Sequence, residues 1–596
     1  MKTGYIAGIS RGHNAGVCLL LNGKIVFAIE EERLSRVKYD GSPLAAMNLI
    51  KQYTDKIDYL VISHTTSIAS TSPIIEFQGD DLYTGLARKL GLIERKVYRN
   101  NSHPQIIDVS HLHHKVHAAC GFYRSGWDDA VALVVDGAGT SFPYTLNNEQ
   151  HWFWEVESII DCSYPFNFKT LYKHYGAKGP LTGGVSTHLA SEQLGEPGSM
   201  HYAVLSETAG ITKVYEAVTE YCGFDGIEAG KTMGLFPYGK KNDQIPKLFT
   251  NETDEPLSNR QLVTPMYPST AIINQGLYNF LSTNNSERDF TRLENRRDLA
   301  YACQTETQAQ VVQLIRRAVE MSGKKRVVIA GGYGLNCVAN YHYLQELQDE
   351  GIEIYVEPIS NDGGTAIGAA LLHYHQTTAS MEKQESTVYL GPEYAYDDAY
   401  IQELATLYGA VVTDINKQNI VALLRDKTIV TMFQGRSENG PRALGNRSIL
   451  FDPTFLDGKD YVNSIKNREY FRPFAGTVLA DRAHEWFDLR GMDQSPHMMY
   501  AVNCQPGVAE KIPSVVHVDG TCRIQTVTRE QNTHFYELIE AFDKESGVPI
   551  LFNTSFNLGG DPLVETLDDA LSTLSKSKIE YLYLPEYNKL IYVKNN

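Results

Sequence analysis

Four histidines stand at positions 111, 113, 114 and 117, and a carboxylate, Asp136, closes the apolar run that follows them. On a helix His113 and His117 are i,i+4 and share a face, the spacing at which two imidazoles reach one cation. His114 lies about 100° round such a helix from His113, so it drops out of the ligand set together with His111. Imidazole plus carboxylate suits a borderline divalent ion such as iron, zinc or manganese. Such a pair taken alone is more often solvated or hydrogen-bonded than metal-bound. Asp136 argues the other way, because it ends an apolar strand and is followed by Gly137 and Gly139.

A second carboxylate, Asp362, sits in PISNDGGTAIGAALL, where Gly363 and Gly364 open a helix of small residues. That arrangement brings backbone N–H groups and a carboxylate near an anion. Upstream, AGGYGLN supplies Gly331, Gly332 and Asn336 at another strand end. Glycine turns at several strand ends outline a nucleotide site.

Beyond residue 430 the chemistry becomes cationic. GRSENGPRALGNRS holds Arg436, Arg442 and Arg447; KNREYFRPFAG holds Lys466, Arg468 and Arg472; HVDGTCRIQTV holds His517, Asp519 and Arg523. Guanidinium forks bind phosphate or carboxylate bidentately, and the interleaved Gly, Pro and Phe match no solvated helix face. The spacing predicts an anion pocket, to which LFNTSFNLGGD adds Asn553, Ser555 and Asn557 as hydrogen-bonding groups.

These residues need elements to hold them. YIAGIS, AGVCLLL and KIVFAIEEE read as a strand meander with an Asn22-Gly23 hairpin turn. AVALVVDGAGTSFPYTL reads as strand, Asp-Gly turn and strand, and KKRVVIAGGYGLNCVANY as a strand meeting glycines and a helix start. Two related halves follow, each expected to open with a β-hairpin. Helices are expected at 111–123, 298–321 and 364–375, and a polar insertion at 240–297. TTASMEKQES, 377 to 386, is the linker candidate, giving domains 1–385 and 386–596.

With 596 residues the chain is too long for one core. Its net charge of −17 excludes broad, sequence-independent nucleic-acid binding. Eight scattered cysteines without a CxxC pair exclude a disulfide framework and a thiolate zinc site. No apolar run reaches the length of a membrane span and MKTGYIAGIS lacks a signal-peptide core, so a cytoplasmic protein is expected.

Taken in order, HNAGVCLL, EERLSRVK, HHKVHAA, VVDGAG, GKTMGLFPYG, GGYGLNCVAN, DGGTAIGAAL, GRSENGPRALGNRS, FRPFAG, HVDGTCRIQ and NTSFNLGG make the chain resemble the O-carbamoyltransferase family nearly throughout. Its members include the tobramycin, cephem and nodulation-factor carbamoyltransferases. The resemblance implies an α/β protein: a two-lobed actin/hexokinase-like (ASKHA) N-terminal domain and a YrdC-like α/β C-terminal domain. It implies that His113, His117, Asp136 and Asp362 hold Fe(II) or a similar divalent metal. Gly137, Lys231, Gly331, Gly332, Asn336 and Gly363 would contact ATP or carbamoyl-adenylate, with Mg2+ accompanying the nucleotide. Arg436, Arg442, Arg447, Lys466, Arg472, His517, Arg523, Asn553 and Ser555 would bind carbamoyl phosphate and ATP.

The implied chemistry forms carbamoyl-adenylate in the C-terminal domain. The carbamoyl group then passes to an acceptor hydroxyl, with His13 as base or positioning group and Lys38 polarising the carbonyl. Sugars, natural products and hydroxymethylated nucleotides or DNA are the acceptor classes. This chain reads His13-Asn14 where many relatives read His-Asp, and Leu112 where they carry Asp; both departures lie on the acceptor side. An unusual acceptor would be read by residues 164–198 or by the insertion after 240. Two other readings are a threonylcarbamoyl-type transferase acting on tRNA, disfavoured by the acidic charge, and a nucleotide-binding regulator with a degenerate site.

Overall fold

The computed structural model describes residues 4–66, 81–96, 103–146, 148–177, 186–190, 200–206, 210–245, 247–250, 260–261, 263–266, 270–273 and 294–594. Two compact units divide the chain: Met1–Glu31 with Tyr39–Ser386, and Glu32–Lys38 with Thr387–Asn596.

The first unit begins with the expected meander, β1 (Tyr5–Ser10), β2 (Gly16–Leu21) and β3 (Lys24–Glu30). Asn22 and Gly23 join β2 to β3 with φ of 50° and 86°, the double left-handed turn that matches strand twist. β4 (Tyr59–Ser63) and β5 (Ile106–Asp108) add in parallel beyond β1, giving the order β3-β2-β1-β4-β5.

A second sheet is built on β6 (Asp129–Val135), buried in all but its first residue, as a strand covered on both faces must be. Its other strands are β7 (Ser141–Leu146), β8 (Glu149–Ser163), β9 (Asn167–Ala177), β10 (Ser186–Ala190) and β11 (Met200–Ser206). Two short pairs follow, β12 (Phe249–Thr250) with β13 (Arg260–Gln261) and β14 (Val263–Met266) with β15 (Thr270–Ile273). β16 (Arg326–Ala330) and β17 (Glu353–Val356) complete the large sheet, β10-β11-β9-β8-β6-β16-β17.

Within it, β9-β8-β6-β16-β17 repeats the order and sense of β3-β2-β1-β4-β5: two antiparallel pairings, then two parallel ones. This duplicated pattern is the actin/hexokinase architecture. One detail corrects the sequence reading. The Asp-Gly turn does not close a β6–β7 hairpin: β7 pairs with β8, and β8 returns alongside β6. The backbone after β6 is diverted because Asp136 N and Gly139 N donate to Val156 O and Glu155 O on β8.

The helices include α1 (Glu31–Ser35), α2 (His113–Arg124), α3 (Gly210–Tyr221), α4 (Ala229–Leu235), α5 (Glu294–Ser322), α6 (Cys337–Leu347) and α7 (Gly363–Thr378). α7 packs on β1, β2 and α2. Its small residues are required there: a Cβ on Gly368 would come within 2.0 Å of Val116 O on α2.

The second unit is a mixed α/β layer. Its strands are β18 (Ala410–Asp414), β19 (Val430–Phe433), β20 (Arg447–Phe451), β21 (Ala475–Leu479), β22 (Tyr500–Asn503), β23 (Thr521–Val527), β24 (Ile550–Ser555), β25 (Tyr581–Leu584) and β26 (Lys589–Val593). They form one sheet in the order β18-β26-β25-β19-β20-β24-β21-β23-β22. α8 (Gly458–Ile465) leads into the cationic loop before β21. Among the described residues no helix is long and apolar enough to cross a membrane. Most of 240–297, and 178–185 and 191–198 within the stretch read for the acceptor, lie outside the described residues.

Candidate functional site

In the first unit, α2 projects His113 and His117 onto the ends of β6 and α7. His113 Nε2 lies 3.1 Å from His117 Nε2, 3.6 Å from Asp136 Oδ2 and 3.4 Å from Asp362 Oδ1, while His117 Nε2 is 3.3 Å from Asp362 Oδ1. One ligand atom from each of the four residues falls within 4.8 Å of every other. Bonds of about 2.0–2.1 Å at tetrahedral angles set ligand atoms about 3.3 Å apart. The donor set and its spacing therefore fit one divalent ion.

Burial alone would push the His113 imidazole down, but the facing carboxylates of Asp136 and Asp362 outweigh it and hold it up at about 10. Burial would likewise raise both carboxyls, yet the imidazoles keep Asp136 and Asp362 below the usual carboxylate range. The shell behind is ordered: Gly332 N donates to Asp136 Oδ1 at 3.0 Å, and His113 N to Thr140 Oγ1 at 3.2 Å.

His114 points elsewhere, 2.7 Å from Ser158 Oγ, and burial pushes its pKa down to about 4. His111 is exposed. His13, half-exposed, reaches Asp362 Oδ2 with Nδ1 at 3.7 Å. Sequence reasoning missed His64, just after β4. Its Nε2 would lie 3.6 Å from a Cβ on Gly12, and burial together with Arg11 and His113 pushes its pKa down to about 4. No motif signals it; only the parallel pairing of β4 beside β1 brings it there.

The glycines read as nucleotide contacts have steric reasons of their own. Gly331 holds φ at 88°, and a Cβ there would come within 2.4 Å of Val135 O. A Cβ on Gly363 would meet Glu30 Oε1 at 2.2 Å, whereas Gly137 lies beside Thr212 and Lys213 of α3. Asn336 caps α6, accepting from Ala339 N at 3.0 Å, and Lys231 on α4 pairs with Glu228 at 2.7 Å.

In the second unit, Lys466 ends α8, Arg468 and Arg472 follow in the loop, and Arg523 stands on β23. Ala475 on β21 pairs with Arg523 on one side and Asn553 of β24 on the other. Burial, then Arg468 and Arg472, push the Lys466 ammonium well below its usual value. Burial, then Arg472 and Arg523, do the same to Arg468. Burial and neighbouring cations thus act together on Lys466 and Arg468.

Lys466 Nζ donates to Ser555 O and to Asn557 Oδ1, the latter at 3.0 Å. Arg472 faces Glu469 at 3.8 Å. His517 Nε2 is 3.2 Å from Phe471 O, and burial lowers its pKa. Asn553 Nδ2 donates to Ala443 O, Thr477 Oγ1 and Gln525 Oε1 at 3.1 to 3.3 Å.

Not every arginine joins this group. Arg447 is fully buried, donates to the carbonyls of Gln434, Gly435, Asn446 and Glu565, and lies 3.7 Å over the Phe433 ring. Its fork is spent inside the fold. Arg436 donates to Gly391 O and Leu390 O at 2.7 and 2.9 Å. Arg442 is partly exposed. Lys38 belongs to this second unit and pairs with Glu32 at 2.7 and 2.9 Å, while His13 lies in the first.

Fold and sites together define a two-unit α/β enzyme with an actin/hexokinase-type first unit. Family profiles described as "Carbamoyltransferase N-terminus" and "Carbamoyltransferase C-terminus" match residues 5–371 and 421–589, and the chain belongs to the carbamoyltransferase family. Nodulation protein NolNO of Sinorhizobium fredii is 30% identical, the match covering 96% of this chain and 78% of that protein. Nodulation protein NolO of Bradyrhizobium diazoefficiens is 29% identical, over 79% of this chain and 77% of that one. The crystal structure of full-length HypF in the phosphate- and nucleotide-bound form aligns at 14% identity and a TM-score of 0.35, covering 63% of this chain and 56% of that one.

Proposed function

We propose that this carbamoyltransferase is ATP-dependent and acts on a hydroxyl, with the two units dividing the work. The observation that carries the reading is the gathering of Lys466, Arg468, Arg472 and Arg523, in which burial and the neighbouring cations hold Lys466 and Arg468 well below their usual values. Such a cluster fits the dianion of carbamoyl phosphate and the phosphates of ATP. The second unit, YrdC-like in this reading, hydrolyses carbamoyl phosphate to carbamate and phosphate. The carbamate oxygen attacks the α-phosphate of ATP, releasing pyrophosphate and leaving carbamoyl-adenylate. Lys466 and Arg472 neutralise charge that builds on the departing phosphates.

Carbamoyl-adenylate then occupies the first unit beside the Asp136–Gly137 and Gly331–Gly332 turns. The acceptor hydroxyl attacks the carbamoyl carbon, AMP leaves, and His13 takes the hydroxyl proton, with Asp362 at 3.7 Å stabilising the imidazolium. His113, His117, Asp136 and Asp362 would hold Fe(II) or a similar divalent ion, which supplies Lewis-acid polarisation of a phosphate or carbonyl oxygen. Mg2+ accompanies ATP.

The test incubates the protein with ATP, labelled carbamoyl phosphate and a panel of sugar, natural-product and hydroxymethyl-nucleotide acceptors. AMP and pyrophosphate formed only with carbamoyl phosphate, and label in an acceptor, are expected. Transfer that proceeds without ATP overturns the adenylate route.

A further inference from the structure

Residues Glu32–Lys38 leave the first unit for seven positions and fold as part of the second. Two arginines hold this arm in place. Buried Arg33 donates Nη2 to Gly440 O at 2.6 Å. Arg36, in left-handed backbone at φ 59°, donates Nη1 to Leu563 O at 2.6 Å and Nη2 to Pro562 O at 3.0 Å, with Nε 3.5 Å from Asp569.

Arg36 grips a loop that reaches Lys466, and Arg33 a loop pinned to β23 and β24. Gly440 lies in the loop between β19 and β20, whose later carbonyls are fixed from the sheet: Gln525 Nε2 donates to Leu444 O at 2.9 Å and Asn553 Nδ2 to Ala443 O at 3.3 Å. Inside that loop Glu438 Oε1 accepts from Leu444 N at 2.6 Å and Asn446 N at 2.9 Å. Pro562 and Leu563 lie in the loop after β24. There Asn557 Nδ2 donates to Asp561 O at 2.6 Å, and Asn557 Oδ1 accepts from Lys466 Nζ at 3.0 Å. The backbone N of Gly559 also donates to Lys466 O at 3.0 Å. The arm thus binds the loop that fixes Lys466, and also the loop pinned by Gln525 of β23, the strand that carries Arg523.

We infer that the Glu32–Lys38 arm is a working part of the C-terminal anion site, with Arg33 and Arg36 as positioning residues that hold its two loops. The inference rests on the reading of Lys466, Arg468, Arg472 and Arg523 as that site. Guanidinium suits the task because its planar fork presents two N–H donors in fixed geometry to two successive carbonyls, whereas an ammonium would have to share one nitrogen between them.

The experiment measures inorganic pyrophosphate binding to the full chain by calorimetry, with hydrogen exchange on the same samples. Arg33→Ala and Arg36→Ala are expected to bind at least tenfold more weakly, and Arg36→Lys between them and the wild type. Exchange should quicken in 434–446 and 556–565 while β20 and β24 keep their protection. Lys544→Ala, which removes an exposed pair with Glu540, serves as the surface control and binds as the wild type does. Should the alanine proteins not fold, Arg36→Lys carries the test in the same sense. Wild-type affinity in the arm variants overturns the inference and leaves the anion site standing. No pyrophosphate binding by the wild type overturns the anion site itself, and the arm's role with it.

Discussion

His113 and His117, one turn apart on α2, bring their Nε2 atoms to 3.1 Å of each other. Two facing N–H groups would repel at that separation, so the pair is stable only with a shared proton, a charge between the rings, or a metal. The carboxylates of Asp136 and Asp362 supply the counter-charge in each case.

Metal binding follows. Fe(II) added anaerobically to metal-free protein should raise the melting temperature, with about 2.7 kcal/mol of stabilisation at a free concentration a hundred times Kd. His117→Ala should abolish the shift while the metal-free fold persists. An unchanged shift in His117→Ala, read by calorimetry, would sink the assignment.

The pH dependence has a definite sign. His113 titrates at about 10 in the folded protein, above its ordinary value of 6.5. Its ion pairs with Asp136 and Asp362 therefore stabilise the metal-free protein fully below about pH 6.5 and are lost as pH rises towards 10. A metal must displace that proton, so its affinity should fall about tenfold per pH unit as pH falls below 10. Denaturant melts of both forms across pH 6 to 10 check this.

Arg472→Ala should lower carbamoyl phosphate-dependent AMP formation at least about a hundredfold, equivalent to about 2.7 kcal/mol of lost transition-state stabilisation, and barely change the melting temperature. Because burial and two arginines depress Lys466, an arriving anion should draw a proton onto it. Affinity for the anion should then weaken as pH rises. Calorimetry in buffers of different ionisation enthalpy measures the uptake.

Arg447→Met should behave in the opposite way to Arg472→Ala. It strips donors from the buried carbonyls of Gln434, Asn446 and Glu565 and from the partly buried Gly435 carbonyl, so a stability loss above about 3 kcal/mol is expected. A stably folded Arg447→Met protein that had merely lost anion affinity would return this side chain to the anion site.

Gly331→Ala should cost about 2 kcal/mol or more, since its φ of 88° and the 2.4 Å approach to Val135 O exclude a side chain. Gly332 N would shift with it and release Asp136, so metal affinity should fall too. Metal titration of the folded fraction separates the two effects.

Periodicity and turn chemistry make much of this legible in the sequence itself. β1 to β3, the Asn22-Gly23 turn, α2, α5 and α7 lie where alternation and helical spacing put them. The i,i+4 rule singled out His113 and His117 and set His114 aside. What sequence could not show was pairing at a distance: β8 runs 15 residues and separates β6 from β7, a register that no local pattern encodes. Arg447 and Arg472 look alike in sequence because both sit among Gly, Pro and Phe. They differ in whether buried carbonyls consume the guanidinium, which depends on the return of β20 beside β19.

The seven-residue excursion at Glu32–Lys38 also bears on how such proteins can be taken apart. The chain passes between its two folding units three times, at 31/32, 38/39 and 386/387, so the units are interleaved along the gene rather than strung end to end. A fragment starting at Thr387 would lack a piece of its own fold. Swapping the C-terminal half with that of a relative would leave the new half bound to a foreign arm. Divergence in the two halves is therefore tied together at EERLSRVK, and a working chimaera has to exchange that segment along with everything after Ser386.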